Sequence, residues 1–465
     1  MDKVDFCFLV GETAHSVKFN IGILNELEKR GYSCFAVATS DEGERLLKDA
    51  GLSNFCNLEK QSREISISDN DLEKKIREAE KDFGISNVRT EVLTEKTLFE
   101  KKDEDILIKR FLGYLFALEK IFHEKISAEY FVQGVAGSLN GFAFRYAGRK
   151  NGQHVYGGAS PFKDMIYFSF HPEGLLEAND DDINAGLNDK DKEFILKYIE
   201  ELKDKKDRRI FLPLVDTNPH ITIKRIKIFF RMLKKYKSEQ LPLFFIFKFF
   251  WIKYFRKFLA RIFYTNPKNN EKYVYFPLHF PADSQLTTMA IPFASQEFLI
   301  EVISRYLPYG YKLYVKEHPA AIGWFPLKML SFIKKLSNVR IVPPLINSYD
   351  LIKKSEMVFV INSNVGFEAL MYQKPVITFG KSHYRGKGVT LDVTDLYDLP
   401  EVIKRAETFK PSLDRVATLF FLWFKSSFPP PGLPIPDESL LGKNAIIYCD
   451  SLLKYLKMPG DKKSP

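Results

Sequence analysis

The sequence predicts an α/β protein of two Rossmann-like lobes with a basic aromatic helical segment inserted between them. Short apolar runs of strand length alternate with stretches of helical period along most of the chain, as in parallel sheets covered by helices. The length of 465 residues exceeds what one core usually holds, so two domains are expected. The predicted parts are an N-terminal lobe (1–218), the inserted segment (219–264), a C-terminal lobe (265–410) and a helical tail packing back on the first lobe (411–465).

The N-terminal lobe begins with a strand, a helix and a second strand. Apolar runs at residues 4–10 and 34–38 flank a stretch of helical spacing at 19–30, which ends at Gly31. This order of elements opens a Rossmann-like fold. The first loop lacks the spacing G-x-G-x-x-G, so the sequence does not support a dinucleotide site.

Two residues of this lobe are candidates for acid–base catalysis. His15 follows the first strand, at the edge where such folds place ligand-facing residues. Asp164 follows the glycine-rich stretch 155–161, which is the exit from a later strand. Loop residues of both types are also often merely solvated, and the sequence does not choose between them.

The cysteines and the apolar runs indicate the compartment. Cys7, Cys34, Cys56 and Cys449 show no C-x-x-C pairing, so neither a zinc site nor a disulfide framework is predicted. The N-terminus enters a strand pattern at once, and no apolar run approaches the roughly 20 residues of a spanning helix. We therefore expect a protein of the reducing cytoplasm.

The inserted segment is strongly basic and aromatic. Residues 219–262 contain twelve Lys and Arg residues but one acidic residue, whereas the formal charge of the whole chain is +10. An aromatic run, LFFIFKFFW, occupies 243–251. This combination is typical of helices in a membrane interface whose lysines face anionic lipid, and packing on the protein itself is the alternative. Because the basicity is local, no nucleic-acid partner is predicted.

The C-terminal lobe is organised around one βαβ unit. An apolar run at 357–361 leads into the polar turn Asn362-Ser363-Asn364 and a helix that ends before Pro375. The turn places backbone N–H groups and a hydroxyl at a helix N-terminus, where a phosphate or carboxylate is stabilised. The same residue types also serve simply as helix caps.

Three strand-end loops of this lobe carry polar groups, at residues 279–285, 316–319 and 362–368. Because the carboxyl ends of parallel strands meet at one crevice, we expect these loops to converge on one ligand. Imidazole, lysine, hydroxyl and a helix N-terminus suit a phosphate. A carboxylate such as that of Glu368 suits the hydroxyls of ribose or of another sugar.

The same loops carry the motifs YVYFPLHFPADSQ (273–285), YVKEHP (314–319) and INSNVGFEALMYQKPVITFGKSHY (361–384). In them the sequence resembles the capsule polysaccharide biosynthesis family, which includes the Kdo transferases that build the lipid-linked base of bacterial capsules. The resemblance covers about residues 272–410. It implies a GT-B fold, with two Rossmann-like lobes facing a cleft and the nucleotide sugar held mainly by the C-terminal lobe. It also implies metal-independent transfer from a CMP-activated sugar.

By this resemblance His318 contacts the phosphate of the sugar donor, with Ser363 and Asn364 nearby and Glu368 near the nucleotide end. The full set of predicted sites for the sugar donor is His318, Lys316, Ser363, Asn364, Gly366, Glu368, Asp283 and Gln285. The triplet Asp283-Ser284-Gln285 departs from the commoner PLHYQPE form of the family, which leaves the sugar open.

The resulting hypothesis is an inverting, metal-independent glycosyltransferase without a cofactor, peripheral on the cytoplasmic face of the plasma membrane. It would move a sugar from a nucleotide, with CMP favoured, to a lipid-linked or capsular glycan. His318 and the helix end would stabilise the leaving phosphate, and Asp164 or His15 would be the base. The alternatives are a teichoic-acid-type polyol-phosphate transferase, which Glu368 in place of aspartate disfavours, and a non-catalytic scaffold of a capsule assembly complex.

Overall fold

The computed structural model divides the chain into two compact units. One is formed by Met1–Ile183 with Leu419–Pro465, and the other by Asn184–Thr418. Residues 184–204 therefore belong to the second unit, although the sequence places them in the first lobe. The structure describes residues 2–11, 13–92, 104–134, 138–162, 165–204, 255–281, 283–429 and 440–462.

The first unit contains a seven-stranded sheet. Its strands are β1 (Asp2–Val10), β2 (Cys34–Ala38), β3 (Phe55–Asn57), β4 (Ile126–Gly134), β5 (Gln153–Ala159), β6 (Ile166–Ser169) and β13 (Ser427–Phe428). Their order is β13-β6-β5-β4-β1-β2-β3. The five neighbours β5, β4, β1, β2 and β3 are parallel, and β6 is antiparallel to both of its neighbours, β5 and β13. The parallel part has the strand order of a Rossmann fold, as predicted.

Helices cover both faces of this sheet. They are α1 (Ala14–Lys29), α2 (Asp41–Asp49), α3 (Leu58–Arg63), α4 (Leu72–Phe83), α5 (Glu104–Glu124), α6 (Leu139–Asn151), α7 (Asp180–Ala185) and α16 (Leu441–Tyr455). Phe6 and Phe8 of β1 pack on the face of α1 and α16, and Cys7 packs on the face of α5 and α6. Burial of both faces explains why β1 reads as a continuous apolar run.

Helix α1 begins earlier than the predicted position 19. The side-chain oxygen of Thr13 accepts a hydrogen bond from the Ser16 N–H at 3.2 Å, which caps the helix one turn upstream. The sequence placed His15 in a loop, and this was wrong: His15 lies in the first turn of α1.

The second unit contains a six-stranded parallel sheet. Its strands are β7 (Tyr273–Pro277), β8 (Lys312–Lys316), β9 (Val339–Val342), β10 (Val358–Val360), β11 (Val376–Thr378) and β12 (Leu391–Asp392). The order β12-β11-β10-β7-β8-β9 places β7 between β8 and β10. The chain thus proceeds from β7 to one side and later returns to the other, and at such a switch point a crevice opens at the carboxyl ends of the strands.

The helices of the second unit are α8 (Asp189–Asp204), α9 (Ser284–Thr287), α10 (Gln296–Tyr306), α11 (Leu327–Lys335), α12 (Ser348–Lys354), α13 (Asn364–Met371), α14 (Leu399–Ala406) and α15 (Leu413–Lys425), which continues into the first unit from Leu419. Helices α10, α11 and α14 pack with the sheet in one apolar core. The predicted βαβ unit is confirmed as β10, α13 and β11. The fold class, α/β with two Rossmann-like units, is confirmed as well.

The four cysteines are buried free thiols. Burial raises the pKa of the Cys34 thiol, so Cys34 is neutral at physiological pH. Among the helices that the structure describes, none combines the length and the apolar character needed to cross a membrane.

Candidate functional site

The predicted residues for the sugar donor lie at the carboxyl edge of the second sheet. Asp283 and Gln285 follow β7, Lys316 and His318 stand at the end of β8, and the turn that starts at Asn362 follows β10. Since β8, β7 and β10 are adjacent and parallel, these loops leave the sheet side by side. The predicted convergence of the three loops follows from this strand order.

The turn between β10 and α13 is a capped helix start. The Ser363 Oγ accepts a hydrogen bond from the Val365 N–H at 3.1 Å, and the Ser363 carbonyl accepts one from the Tyr384 hydroxyl at 2.7 Å. Asn364 is exposed beside it. Ser363 is therefore a helix cap. Because a hydroxyl that accepts one bond can still donate its proton, this role is compatible with the predicted phosphate contact.

Gly366 lies in the first turn of α13, against the ring of Tyr384. A Cβ at this position would come within 2.6 Å of the Tyr384 Cζ and hydroxyl oxygen. Glycine is thus needed here for close packing of the helix on Tyr384. This packing role was not foreseen, and a contact of Gly366 with the sugar donor stays a prediction.

A buried amide joins the loops after β7 and β10. Asn362 is 4% exposed, and its Nδ2 donates a hydrogen bond to the Gln285 carbonyl at 2.7 Å. The Asn362 Oδ1 is buried and, in the described ranges, has no hydrogen-bond partner. The Gln285 backbone therefore joins the two loops, and a contact of its side chain with the sugar donor stays a prediction.

The loop after β7 is held by a second amide and by an ion pair. The Gln296 side chain accepts a bond from the His279 N–H at 2.8 Å and donates one to the His279 carbonyl at 3.2 Å. The His279 Nδ1 lies 3.9 Å from the Asp283 Oδ2, an ion-pair distance rather than that of a hydrogen bond. Burial alone would raise the pKa of Asp283, but His279 and a 3.0 Å hydrogen bond from the Gln285 N–H outweigh it and lower the pKa. Asp283 is therefore a carboxylate at neutral pH.

The last residue of β8, Lys316, and the two residues after it have different surroundings. The Lys316 side chain is buried, and its Nζ donates to the Ser348 Oγ at 3.0 Å. Glu317 is fully buried, and Tyr264 donates its hydroxyl hydrogen to the Glu317 Oε2. His318 is exposed. Lys316 and His318 thus belong to the carboxyl-edge site, whereas Glu317 serves the contact with Tyr264.

The electrostatics of this edge favour an anion. Burial lowers the pKa of Lys316 to about 8 against the attraction of Glu368, so the amine is still mainly protonated at pH 7. Desolvation by the surrounding protein and repulsion by Lys316 lower the pKa of His318, against the attraction of Asp283. His318 is therefore a neutral imidazole at pH 7. It can donate an N–H to a phosphate oxygen or gain a proton when a phosphate binds.

Glu368 lies on α13, and α12 supplies its contact. The Tyr349 hydroxyl donates to the Glu368 Oε1 at 3.0 Å. Ser348 and Tyr349 are thus both hydrogen-bonded to predicted site residues, one to Lys316 and the other to Glu368. The sequence reasoning missed them because a Ser-Tyr pair at a helix start is ordinary. Their position directly after β9, at the same carboxyl edge, was the available signal.

The predicted catalytic residues belong to the first unit. His15 is half-buried in α1, and its Nε2 is buried without a hydrogen-bond partner among the residues that the structure describes. Asp164 lies outside the described residues. The choice between them as base therefore stays a prediction.

Only the end of the basic segment, residues 255–264, lies within the described part of the chain, and residues 219–254 lie outside it. Residues 255–260 are helical. Phe258 and Ile262 are 66% and 62% exposed, and Phe255 is exposed as well. The spacing of three and four residues places these apolar side chains along one side of the segment.

Within the described residues, no group of three or more His, Cys, Asp and Glu side chains is arranged to hold a metal ion. At the carboxyl edge of the second unit, the charged amine of Lys316, the N–H of His318 and the N-terminus of α13 can stabilise an anion.

In Rossmann-like proteins, ligands bind to polar groups at the carboxyl edge of the parallel sheet, beside a switch point. The second unit has this arrangement, which places the protein in the Rossmann-like class. Within this class, residues 243–418 match the family model of the capsule polysaccharide biosynthesis protein. The resemblance inferred from the motifs is thereby confirmed for this part of the chain.

Two curated relatives are capsule polysaccharide modification proteins LipA of Neisseria meningitidis. The chain is 29% identical to the serogroup B protein over 108 residues, which are 23% of this chain and 15% of that protein. It is 32% identical to the serogroup A protein over 80 residues, 17% of this chain and 11% of that protein. The chain thus matches a small part of the length of these relatives.

Similar solved structures include a β-Kdo 2,7-transferase, KpsC of Thermosulfurimonas dismutans. It shares 15% identity with a TM-score of 0.34, over 70% of this chain and 85% of that chain. UDP-GlcNAc 2-epimerase of Methanocaldococcus jannaschii shares 11% identity with a TM-score of 0.30, over 90% of this chain and 97% of that chain. TM-scores this low establish no shared activity.

Proposed function

We propose that the protein is a glycosyltransferase that moves a sugar from a nucleotide donor, with a CMP-sugar favoured, to a lipid-linked or capsular glycan. The observation that carries this proposal is the convergence of Lys316, His318 and the Ser363 turn at one edge, with Glu368 beside them. This set of groups suits a phosphate next to ribose. The family match of residues 243–418 supports capsule polysaccharide biosynthesis as the setting.

In this proposal the protein itself stabilises the leaving phosphate, and no metal or cofactor takes part. The charged amine of Lys316, an N–H of His318 and the N-terminus of α13 provide positive potential where charge develops on the phosphate. These groups are held before the reaction by Ser348 and by the cap at Ser363, so little reorganisation is needed.

The acceptor hydroxyl must lose its proton during transfer. For the inverting course proposed here, His15 or Asp164 of the first unit is the base. A carboxylate can also act as a nucleophile, in which case Asp164 would form a glycosyl intermediate and the anomeric configuration would be retained. The anomeric configuration of the product relative to the sugar donor therefore tests the inverting course.

The nucleotide is tested by thermal unfolding of the purified protein with CMP, CDP, UDP, GDP and their sugar conjugates. A ligand at 100 times its dissociation constant stabilises the folded state by about 2.7 kcal/mol. We expect CMP or a CMP-sugar to raise the melting temperature, and Lys316→Met to lose this shift. Lys312→Met, at the other end of the same strand, is the matched control and should keep it.

Other outcomes of this screen are also informative. A rise in melting temperature with UDP or CDP alone would support nucleotide binding and would indicate a sugar donor other than a CMP-sugar. The absence of a shift with every nucleotide, for a protein that unfolds cooperatively, would contradict the proposal and favour a non-catalytic scaffold.

We also propose that the protein is peripheral on the inner face of the plasma membrane and binds anionic lipid through residues 219–264. The exposed Phe258 and Ile262 support this, because Arg256, Lys257 and Arg261 accompany them on the same short stretch. Apolar side chains flanked by cations match the boundary between acyl chains and anionic headgroups.

Flotation with vesicles tests the membrane proposal. We expect binding to vesicles that contain phosphatidylglycerol, weaker binding to pure phosphatidylcholine, and release by salt. Replacing Phe258 and Ile262 together with serine should weaken binding about tenfold or more, since each buried apolar side chain contributes roughly 1.5–3 kcal/mol. The control replaces Tyr309 and Tyr397, exposed aromatic residues outside the segment, with serine. Equal flotation of both variants would contradict the proposal.

A further inference from the structure

Helix α12 connects the two predicted ends of the nucleotide site through its first two residues. The Asn347 side chain accepts a hydrogen bond from the Tyr349 N–H at 2.9 Å, which caps the helix. Ser348 then bonds Lys316 of β8, and Tyr349 bonds Glu368 of α13. Two site residues from separate elements are thus held by one helix start.

The bond from Tyr349 restricts the Glu368 carboxylate. A glutamate side chain has three rotatable bonds, and a hydroxyl donor at 3.0 Å on Oε1 selects one orientation. Two carboxylate oxygens together offer about four lone-pair sites, so an oxygen that accepts from Tyr349 can accept again. The attraction between Glu368 and Lys316, which opposes the lowering of the Lys316 pKa by burial, shows that carboxylate and amine lie near each other.

We propose that Tyr349 is a positioning residue that orients Glu368 to accept hydrogen bonds from the 2′- and 3′-hydroxyls of ribose, so that the site selects ribonucleotides over 2′-deoxyribonucleotides. The inference rests on the proposed function. Its physical basis is that a carboxylate held in position to bind a hydroxyl discriminates against an analogue that lacks this hydroxyl, because the analogue cannot form the hydrogen bond. A carboxylate released from Tyr349 can rotate towards water and loses this discrimination.

The experiment measures the affinities of CMP and UMP, each beside its 2′-deoxy form, by calorimetric titration of the full chain. For the unsubstituted protein we expect the ribonucleotide to bind at least tenfold more tightly. Tyr349→Phe should lower this ratio about tenfold through weaker ribonucleotide binding, with the affinity of the deoxy form unchanged. Glu368→Gln should lower the ratio too, and Tyr349→Phe should then add nothing further.

The matched control is Tyr273→Phe. The Tyr273 hydroxyl donates to the Leu351 carbonyl at 2.8 Å, so this change also removes a tyrosine hydrogen bond to α12 but leaves Glu368 untouched. A purely structural role of Tyr349 would make both variants alike, with both nucleotide forms weakened equally. That result, or an unchanged ratio of ribonucleotide to deoxyribonucleotide affinity in Tyr349→Phe, would overturn this inference but leave the proposed function standing. Failure of every nucleotide to bind the unsubstituted protein would overturn the proposed function and the inference together.

Discussion

Replacing His318 with alanine is expected to lower kcat for sugar transfer by about two to three orders of magnitude, the usual cost of losing one group that stabilises developing charge. His318 stands at the end of β8 beside Lys316, and its lowered pKa keeps it a neutral N–H donor before the phosphate binds. The negative charge on the leaving phosphate increases in the transition state. The effect should therefore fall mainly on kcat and less on KM for the sugar donor.

The measurement is release of free nucleotide during turnover, with thermal unfolding recorded in parallel. Because His318 is exposed, its replacement should leave the melting temperature nearly unchanged. His123→Ala is the matched control, since His123 is an exposed histidine on α5 of the first unit. Full activity of His318→Ala would refute the assignment of the phosphate site to this edge.

The fold could be predicted from the sequence where burial leaves a local pattern. The strands β1 and β10 are buried on both faces and read as continuous apolar runs, and Pro375 marks the end of the helix between β10 and β11. The start of α1 was missed because its signal is a single capping residue, Thr13, and the first buried residue of the helix, Val17, comes four positions later.

The site was predictable in part, because the carboxyl edge of a parallel sheet is set by the order of elements. The position of Lys316, His318, Ser363 and Glu368 at this edge could be predicted in this way, and their contact with a sugar donor stays a prediction. What the sequence does not encode locally is pairing between distant residues. The bond from Tyr349 to Glu368 depends on where β9 lies in the sheet, and the bond from Tyr264 to Glu317 spans two elements 53 residues apart.

Glu317 shows why adjacent residues of one motif can serve different purposes. In the motif K-E-H-P, which begins at the last residue of β8, the Lys316 amine contacts Ser348, His318 is exposed, and Glu317 is buried in the interior. There Glu317 accepts a hydrogen bond from the hydroxyl of Tyr264, the last residue of the basic segment. The residues just before Tyr264 are held by a 2.6 Å hydrogen bond from the Lys334 Nζ to the Ile262 carbonyl. Glu317 therefore belongs to the packing of residues 261–264 on the second unit.

Replacing Glu317 with glutamine is accordingly expected to stabilise the protein at pH 8 by about 3 kcal/mol relative to the unsubstituted chain, and to have little effect near pH 4.5. Burial raises the pKa of Glu317 from its ordinary 4.5 to about 7, against a hydrogen bond from Tyr264. Because the folded state holds the proton more tightly than the unfolded state, this stabilising contribution is complete below pH 4.5. It is lost as the pH rises through 7, where the carboxylate must ionise in the interior.

The free energy of unfolding, measured by denaturant titration at pH 5 and pH 8, tests this expectation. Glutamine keeps the shape of the side chain and a carbonyl that accepts a hydrogen bond from Tyr264, but it cannot ionise. The difference in free energy of unfolding between the two proteins should therefore grow from pH 5 to pH 8. Glu407→Gln is the matched control, because Glu407 also accepts a tyrosine hydroxyl, that of Tyr311 at 3.1 Å, but lies at the surface. If Glu317→Gln shifts stability equally at both pH values, Glu317 does not carry a raised pKa, and ionisation of this buried carboxyl does not limit stability at neutral pH.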